Sequence, residues 1–478
     1  MTRRRSKIVL TLLAFALSVQ YSLAEPAEHA EVRGLTSEFE QTLPEPEPES
    51  TVATPSGPTS LTLEEAVSTA LSRNPTVKAT EAAVKAADYR VDQAGAAYYP
   101  TLDLSNNFTH TDTSQGSGGV VSNGLLLSNS GGSNNTRDVL SSSISARATL
   151  FDGTREPTFR RAKESLTAVE FDAEETAQEL ILQVRTLYFQ TLLDQELAAI
   201  QKQRVENIQL RLNQAQGFYE AGTAARNEVT QAAADLANAQ LEATRADATL
   251  ELDWVRLNVL LGTPSQNSYQ LTQEETEDVP SLSVEEFMKV ALDERPELQS
   301  GWARIRAQLA QVDANSAARW PTLSASAGYN LNGQPTPLDR TWSAGLILSW
   351  SLFDGGLNRA RAEEAKATAE QLTEQLESTS NTVYQEIAVA LTAWRTAETQ
   401  QTTAQAGLDA AEQNRFLAAE RYRVGVGNFL ELSDAELALT EARTNVARAA
   451  NATRTAAAQL ARAVGVVEIA EVSLENQP

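Results

Sequence analysis

The sequence predicts a mainly α-helical protein with a smaller transmembrane β part, and it predicts that this arrangement occurs twice along the chain. Motifs recur in order: LFDG stands at 150–153 and 352–355, and Y-x-x-G stands at 219–222 and 422–425. Alanine, Gln, Glu, Leu and Thr dominate after residue 60 while aromatic residues are only 6%, a composition that favours long helices packed side by side. Short segments with apolar residues at every second position predict strands.

Composition excludes several classes of function. The 478 residues carry a net charge of -24, so a basic surface for nucleic acid is not expected. The absence of cysteine excludes disulfides, thiol catalysis and cysteine-bound metals. The two histidines, His29 and His110, fall in a predicted linker and at a strand end, which argues against a histidine metal site or catalytic triad. We therefore expect no cofactor, no metal and no enzymatic activity.

The N-terminus indicates export. Residues 1–24 combine the basic stretch MTRRRSK, a short apolar run and a small-x-small cleavage site, which together predict a secretory signal peptide. A membrane anchor would need about 20 apolar residues. Residues 25–60 are rich in Pro and Glu and predict an acidic linker. The boundaries that follow define a first repeat, an inter-repeat linker, a second repeat and a C-terminal tail: 61–265, 266–280, 281–465 and 466–478.

Both repeats begin with the same helical pattern. A capping box precedes a short helix, and a second helix then runs to an aromatic residue followed by proline. The capping boxes are Thr62 with Glu65 and Ser283 with Glu286, and the aromatic-proline pairs are Tyr99-Pro100 and Trp320-Pro321. The shared order predicts one architecture for both halves.

Two strands follow in each repeat. In the second repeat one strand aligns Leu323, Ala325, Ala327, Tyr329 and Leu331, and its partner aligns Trp342, Ala344, Leu346, Leu348, Trp350 and Leu352. Strands of about ten residues with one apolar face and terminal aromatics are typical of transmembrane β-strands. A soluble β-sandwich face has the same periodicity. The polar insertion at about 113–138 in the first repeat is expected to be an external loop.

Long helices complete each repeat. Apolar residues every three or four positions predict helices over about 155–221 and 357–421, with returning helices over 226–262 and 428–465. A helix of roughly 65 residues is about 100 Å long. Charged residues occur along the whole length, so these helices are not expected to span a bilayer.

Four strands cannot close a membrane barrel, because the smallest barrels need about eight strands and open edges in lipid leave backbone groups unpaired. A trimer would supply twelve strands. Such a trimer is expected to be a conduit that extends from an outer membrane across the periplasm. The alternative is a periplasmic coiled-coil adaptor or scaffold, in which the strands form a soluble domain and no membrane barrel exists.

Several motifs carry a resemblance to a known family. They are the Pro-Thr-Leu strand openings at Pro100 and Pro321, SLFDGG at 351–356, and an acid six residues after the glycine of each Y-x-x-G. Their order, repeated twice over about residues 60–465, resembles that of the TolC-like outer-membrane efflux proteins, or outer membrane factors. The resemblance implies a homotrimer with a shared twelve-stranded β-barrel in outer-membrane lipid and an α-barrel of antiparallel coiled-coil helices in the periplasm. It also implies a channel-tunnel for small molecules or proteins, bound to a periplasmic adaptor and an inner-membrane pump.

The resemblance also assigns roles near the helix turns. Gly222 and Gly425 would allow the chain to turn back, and Glu431 and Asp434 would ring the pore constriction. Asn428-x-x-Glu431 is also a capping pattern, which explains Glu431 without a pore.

The remaining assigned residues concern closure of the periplasmic end. Tyr422, Glu228 and Gly427 match the positions of the family's periplasmic gate contacts, but Gly427 occupies the place of the family's arginine. We expect Arg423 or Arg226 to be the nearest substitutes for that arginine.

Overall fold

The computed structural model describes residues 60–113, 121–122, 125–126, 135–223, 225–263, 268–272, 279–333 and 338–471. The predicted signal peptide, nearly all of the predicted linker and most of the polar insertion lie outside the described residues.

The first half of the described chain contains two short helices, the first strands of the sheet and a hairpin of two long helices. Its elements are β1 Ser60–Leu61, α1 Leu63–Arg73, α2 Pro75–Ala96, β2 Thr101–Thr113, β3 Val121–Ser122, β4 Leu125–Leu126, β5 Asn135–Phe151, α3 Arg155–Glu220, α4 Arg226–Leu260 and β6 Gln270–Leu271.

The second half repeats the same order of helices and strands, which confirms the predicted internal duplication. Its elements are α5 Val284–Glu294, α6 Pro296–Ala317, β7 Thr322–Gly333, β8 Asp339–Ser349, α7 Leu357–Arg423, α8 Phe429–Val464 and a 3-10 turn at Ile469–Glu471.

Helix starts are fixed by side chains, as the sequence predicts. Thr62 Oγ1 accepts from Glu65 N at 3.2 Å, and Thr62 N donates to Glu65 Oε2 at 3.1 Å. Ser283 and Glu286 form the same reciprocal pair at 3.3 and 2.8 Å. Each box satisfies N–H groups that have no partner inside the helix. Both predicted capping boxes are therefore confirmed.

The LFDG motif starts the long helices. In the first copy Asp152 Oδ1 accepts from the backbone and hydroxyl of Thr154 at 2.9 and 2.8 Å. In the second copy the carboxylate of Asp354 accepts from Gly356 N at 2.9 Å and Asn358 N at 3.0 Å. These backbone donors lower the pKa of Asp354. The aspartate thus stabilises the turn by which a strand becomes a helix.

The strands β2, β5, β7 and β8 form one antiparallel sheet in that order. Register aligns apolar residues in rows across all four strands. One row is Leu102, Ala146, Ala327 and Ala344, and the next is Leu104, Ile144, Tyr329 and Trp342. The alternate rows are polar or small, such as Ser105, Ser143, Asn330 and Thr341. One face of the sheet is therefore apolar over these rows and the other is polar, and the next row on the apolar face is Asn106, Ser142, Leu331 and Arg340.

Two details of the sheet differ from the prediction. β2 and β5 have 13 and 17 residues, longer than the ten expected, because ladder pairing continues to Thr113 and Asn135 beyond the apolar alternation. β8 ends at Ser349, so Trp350 and Leu352 follow the strand instead of belonging to it.

The helices pack as two long hairpins, α3 with α4 and α7 with α8. One buried cluster joins the four helices α5, α6, α7 and α8, which contribute Phe287, Leu298, Ile387 and Leu460 in that order. A second cluster joins α1 to the α3–α4 hairpin, and it includes Ala458 of α8. Each fully buried Leu or Ile stabilises the packing by about 1.5–3 kcal/mol. Among the helices described, none is both long and apolar enough to cross a membrane.

Candidate functional site at the hairpin tips

Both hairpin tips are built by the same backbone turn. At the end of α3, Gly222 N donates to Tyr219 O at 3.0 Å and Thr223 N donates to Phe218 O at 2.9 Å. Gly222 has φ +74°, the left-handed conformation in which glycine carries no steric penalty. These two bonds define a Schellman motif, which satisfies the last carbonyls of the helix.

The second tip repeats this geometry. Gly425 N donates to Tyr422 O at 3.1 Å, Val426 N donates to Arg421 O at 3.0 Å, and Gly425 has φ +79°. The structure thus places both predicted turn glycines directly after the long helices.

Gly427 is tightly enclosed by the end of α7. Its N–H donates to Arg421 O at 2.9 Å. A Cβ at this position would lie 3.0 Å from the carbonyl carbon and Cβ of Arg421 and from the backbone nitrogen of Tyr422. Such contacts are closer than normal van der Waals packing, and two of the atoms belong to the backbone. A side chain at position 427 would therefore require Arg421 and Tyr422 to shift by a few tenths of an ångström, which gives the glycine a structural reason.

Tyr422 connects the two tips through aromatic packing. Its ring makes edge contacts with Phe218 of α3, at a centroid distance of 6.1 Å, and with Phe429 of α8, at 6.4 Å. Burial raises the pKa of Tyr422, the nearby Glu228 carboxylate raises it further, and Arg211 opposes the shift. Edge-to-face pairs of this kind contribute about 0.5–1.5 kcal/mol each beyond their buried area. The Glu228 carboxylate is thus close enough to influence Tyr422, and the role of both residues as gate contacts stays a prediction.

Glu431 and Asp434 lie one turn apart on α8, and both are exposed. Asn428 Oδ1 accepts from Glu431 N at 2.7 Å, so the N-cap is present. The Glu431 carboxylate is directed to α7, where its Oε1 lies 3.1 Å from Arg421 Nε. Within the described residues the Asp434 carboxylate has neither a hydrogen bond nor an ion pair. Of the two acids, Glu431 thus has a basic partner among the described residues and Asp434 does not.

The arginines near the tip are arranged differently from the expectation. Arg423 donates to Glu420 of its own helix at 2.7 Å, and Arg226 is exposed at the start of α4. The residue that reaches a predicted site acid is Arg421, which sequence reasoning missed. Ten positions separate Arg421 from Glu431, and the two side chains meet only because the turn between them brings α8 back beside the end of α7. An exposed pair of this kind contributes at most about 1 kcal/mol.

A buried ion pair, also missed, lies one to two helical turns further from the tips. Arg211 Nη2 lies 3.1 Å from Glu436 Oε2, with exposed side-chain fractions of 4% and 17%. The Arg211 guanidinium also lies 5.5 Å from the Phe429 ring centroid, within cation–π range. Burial raises the pKa of Glu436, while Arg211 and Arg415 oppose the shift. The available sequence signal was a charge inside an apolar seam: Ile208 and Leu212 flank Arg211.

Comparison with known proteins identifies the family. The sequence pattern of the family described as outer membrane efflux protein matches residues 66–263 and 288–466. The chain belongs to the outer membrane efflux protein family. This confirms the resemblance found from the duplicated motifs, and it places the chain in a family of outer-membrane transport proteins.

Individual relatives agree with this assignment. This chain is 30% identical to protein CyaE of Bordetella pertussis over 204 residues, which cover 41% of this chain and 42% of CyaE. It is 30% identical to outer membrane protein OprJ of Pseudomonas aeruginosa over 150 residues, covering 30% of this chain and 31% of OprJ. The chain therefore spans less than half the length of these curated relatives in the matched segments.

The fold agrees over a longer stretch. The Campylobacter jejuni CmeC outer membrane channel aligns with a TM-score of 0.72 and 20% identity, covering 86% of this chain and 87% of that one. This likeness confirms the predicted fold class of long helices with a four-strand sheet contribution.

Proposed function

We propose that three copies of the chain form an export duct whose sheets close into one twelve-stranded barrel in the outer membrane. The observation that carries the proposal is the sheet itself. Its apolar face is continuous over four strands, and its outer strands β2 and β8 have no second neighbour among the described residues. Open edges in lipid are unfavourable because each unpaired backbone group costs several kcal/mol. Pairing of β2 with β8 of another copy removes both edges.

The apolar face supports contact with lipid. Trp342, Leu346 and Leu348 on β8 are exposed by 78%, 70% and 67%. Phe353, just after the strand, is exposed by 90%. A contiguous apolar surface of this kind is rare on a soluble monomer, and aromatic residues near strand ends suit the membrane interface.

The helical hairpins form the periplasmic body in this proposal. α3 and α7 have 66 and 67 residues, so each is about 100 Å long at 1.5 Å per residue. Three copies would place twelve long helices around one passage. The duct is passive, and energy would come from an inner-membrane pump bound through a periplasmic adaptor.

The tips would form the constriction. Glu431 and Asp434 from three copies would place six carboxylates around one opening, which favours cations. Tyr422 and Glu228 would hold the tip closed, with Gly427 allowing the tight turn beside them. Arg421 would neutralise part of the charge of the ring through Glu431.

Conductance measurements test this proposal. We expect the double variant Glu431→Gln, Asp434→Asn to lose most of its cation preference and its block by trivalent cations in planar bilayers. The matched control is Glu374→Gln, Glu377→Gln, an exposed acid pair with the same spacing on α7. Equal selectivity in the two double variants would refute the constriction. A protein that needs no detergent and forms no heat-modifiable trimer would favour the adaptor interpretation instead.

A further inference from the structure

A polar cavity of about 120 Å³ lies between the four long helices near the tips. Its lining begins between five residues from the turn, at Ser433, and eleven residues from it, at Arg211, which corresponds to about 8–16 Å along the helices. Its charged lining consists of four arginines and two acids: Arg204, Arg211, Arg415, Arg443, Asp235 and Glu436. Because α3, α4, α7 and α8 all contribute, the cavity lies where the two hairpins meet.

Arg211 is the central feature of this cavity. Its side chain is 4% exposed, and Nη2 pairs with Glu436. Its Nε and Nη1 atoms are buried without a hydrogen-bond partner among the described residues. A buried guanidinium with unused donors is unfavourable, because those N–H groups have lost water and gained nothing in return. Two donors of a rigid planar group are thus available for a ligand.

The charge balance selects the type of ligand. Four guanidinium groups face two carboxylates, an excess of positive charge in a chain whose net charge is -24. Arg443 is partly offset by Glu412 outside the lining, at 3.6 Å. Asp235 Oδ1 accepts from Gln231 Nε2 at 2.9 Å, while its Oδ2 is buried without a hydrogen-bond partner among the described residues. Glu436, Asp235 and Glu412 together offset three of the four guanidinium charges, so about one positive charge remains, which favours an anion.

We propose that this cavity binds a small tetrahedral oxyanion, such as inorganic phosphate, between the two hairpins. The Arg211 guanidinium would donate to one of its oxygens through Nη1 or Nε, because these two groups point to different sides of the planar side chain and Nη2 already pairs with Glu436. Arg204 on α3 and Arg415 on α7 would balance the remaining charge. The volume corresponds to about four water molecules, enough for one phosphate ion.

Binding would link the hairpins. Arg211 belongs to α3 and Arg415 to α7, so one anion contacts both hairpins at once. A ligand that binds only the assembled arrangement stabilises it in proportion to the logarithm of its concentration. The occupied cavity would therefore hold the two tips in register without any change to the exposed acids.

Direct binding tests the proposal. The purified full chain in detergent is titrated with sodium phosphate by calorimetry, with sodium chloride at matched ionic strength as the reference. We expect saturable binding of one phosphate per chain. Arg211→Gln should weaken it by about tenfold or more, and Asp235→Asn should tighten it because a like charge is removed. Arg245→Gln, at an exposed arginine paired with Glu242 outside the cavity, should leave it unchanged.

Several results would overturn the proposal. Absence of saturable phosphate binding would mean that the cavity holds only water. Binding of equal strength in Arg211→Gln and wild type would place the anion elsewhere. If Arg211→Gln does not fold, Arg415→Gln replaces it, because Arg415 is only half-buried, and undiminished binding in that variant would equally contradict the site.

Discussion

Replacement of Asp194 by Asn should make the protein more stable above pH 6. Asp194 on α3 and Asp253 on α4 are exposed by only 7% and 1%. Gln190 Nε2 donates to Asp194 Oδ2 at 2.8 Å, and Arg256 Nη1 donates to Asp253 Oδ1 at 2.8 Å. Burial, followed by the hydrogen bond with Asp253, raises the pKa of Asp194 to about 6. The Asp194 carboxyl group therefore keeps its proton to a higher pH than an exposed aspartate does.

The raised pKa of Asp194 determines whether the free energy of unfolding rises or falls with pH. Between pH 3.8 and about 6 the folded chain keeps a proton on Asp194 that the unfolded chain has released. The free energy of unfolding therefore falls as pH rises through this range, and the loss is complete above it. A difference of about two pKa units corresponds to roughly 3 kcal/mol. Asn cannot ionise, yet its amide can donate to Asp253 as the protonated carboxyl does.

Thermal unfolding in detergent measures the difference. An unfolding entropy of about 2 cal/mol/K per residue over roughly 400 residues converts 3 kcal/mol into a Tm shift of about 3–4 °C. We expect Asp194→Asn to exceed wild type by that amount at pH 7.5 and to match it near pH 4. Asp247→Asn, at an exposed α4 residue paired with Lys202 at 2.9 Å, is the control. A constant difference between Asp194→Asn and wild type across the pH range would refute the raised pKa of Asp194.

Two further predictions concern glycine and a helix cap. Gly427→Ala should loosen the second tip by on the order of 1 kcal/mol through overpacking, measured as faster limited proteolysis there. Gly217→Ala, where a Cβ meets nothing within 4 Å, should instead stabilise α3 by about 0.5–1 kcal/mol. Asn74→Ala should cost about 1–3 kcal/mol in chemical unfolding, since Asn74 caps Thr76 N at 2.8 Å and donates to Leu260 O at 3.0 Å. Asn74→Ser keeps a capping oxygen and should recover part of that loss; no recovery would assign the effect to the Leu260 contact alone.

The local chemistry of the chain was sufficient to predict most of the fold. The capping residues Thr62 and Ser283 each need only a partner three positions away. The apolar alternation around Ala325 and Leu346 fixed the faces of the strands, because side chains in a strand alternate with period two. Such short-range patterns are set within one element and do not depend on the path of the chain.

The candidate site was less accessible to sequence reasoning. Arg421 and Glu431 meet because a Schellman turn and Gly427 return the chain at one particular angle. Arg211 and Glu436 meet only when the two hairpins pack together, over 225 positions of sequence. The spacing of residues along the sequence carries no information on contacts between two hairpins. A charged residue inside an apolar seam does indicate that the residue has a partner, but not which residue that partner is.

The short pair of β1 and β6 has a consequence for how the chain is assembled. Ser60 pairs with Gln270 and Leu61 with Leu271 in parallel, while the Tyr188 hydroxyl donates to Leu61 O or Thr272 O, each at 2.9 Å. The two ends of the first repeat are thus held together by residues that all precede position 281. A chain that emerges from a translocation pore N-terminus first can complete this closure early.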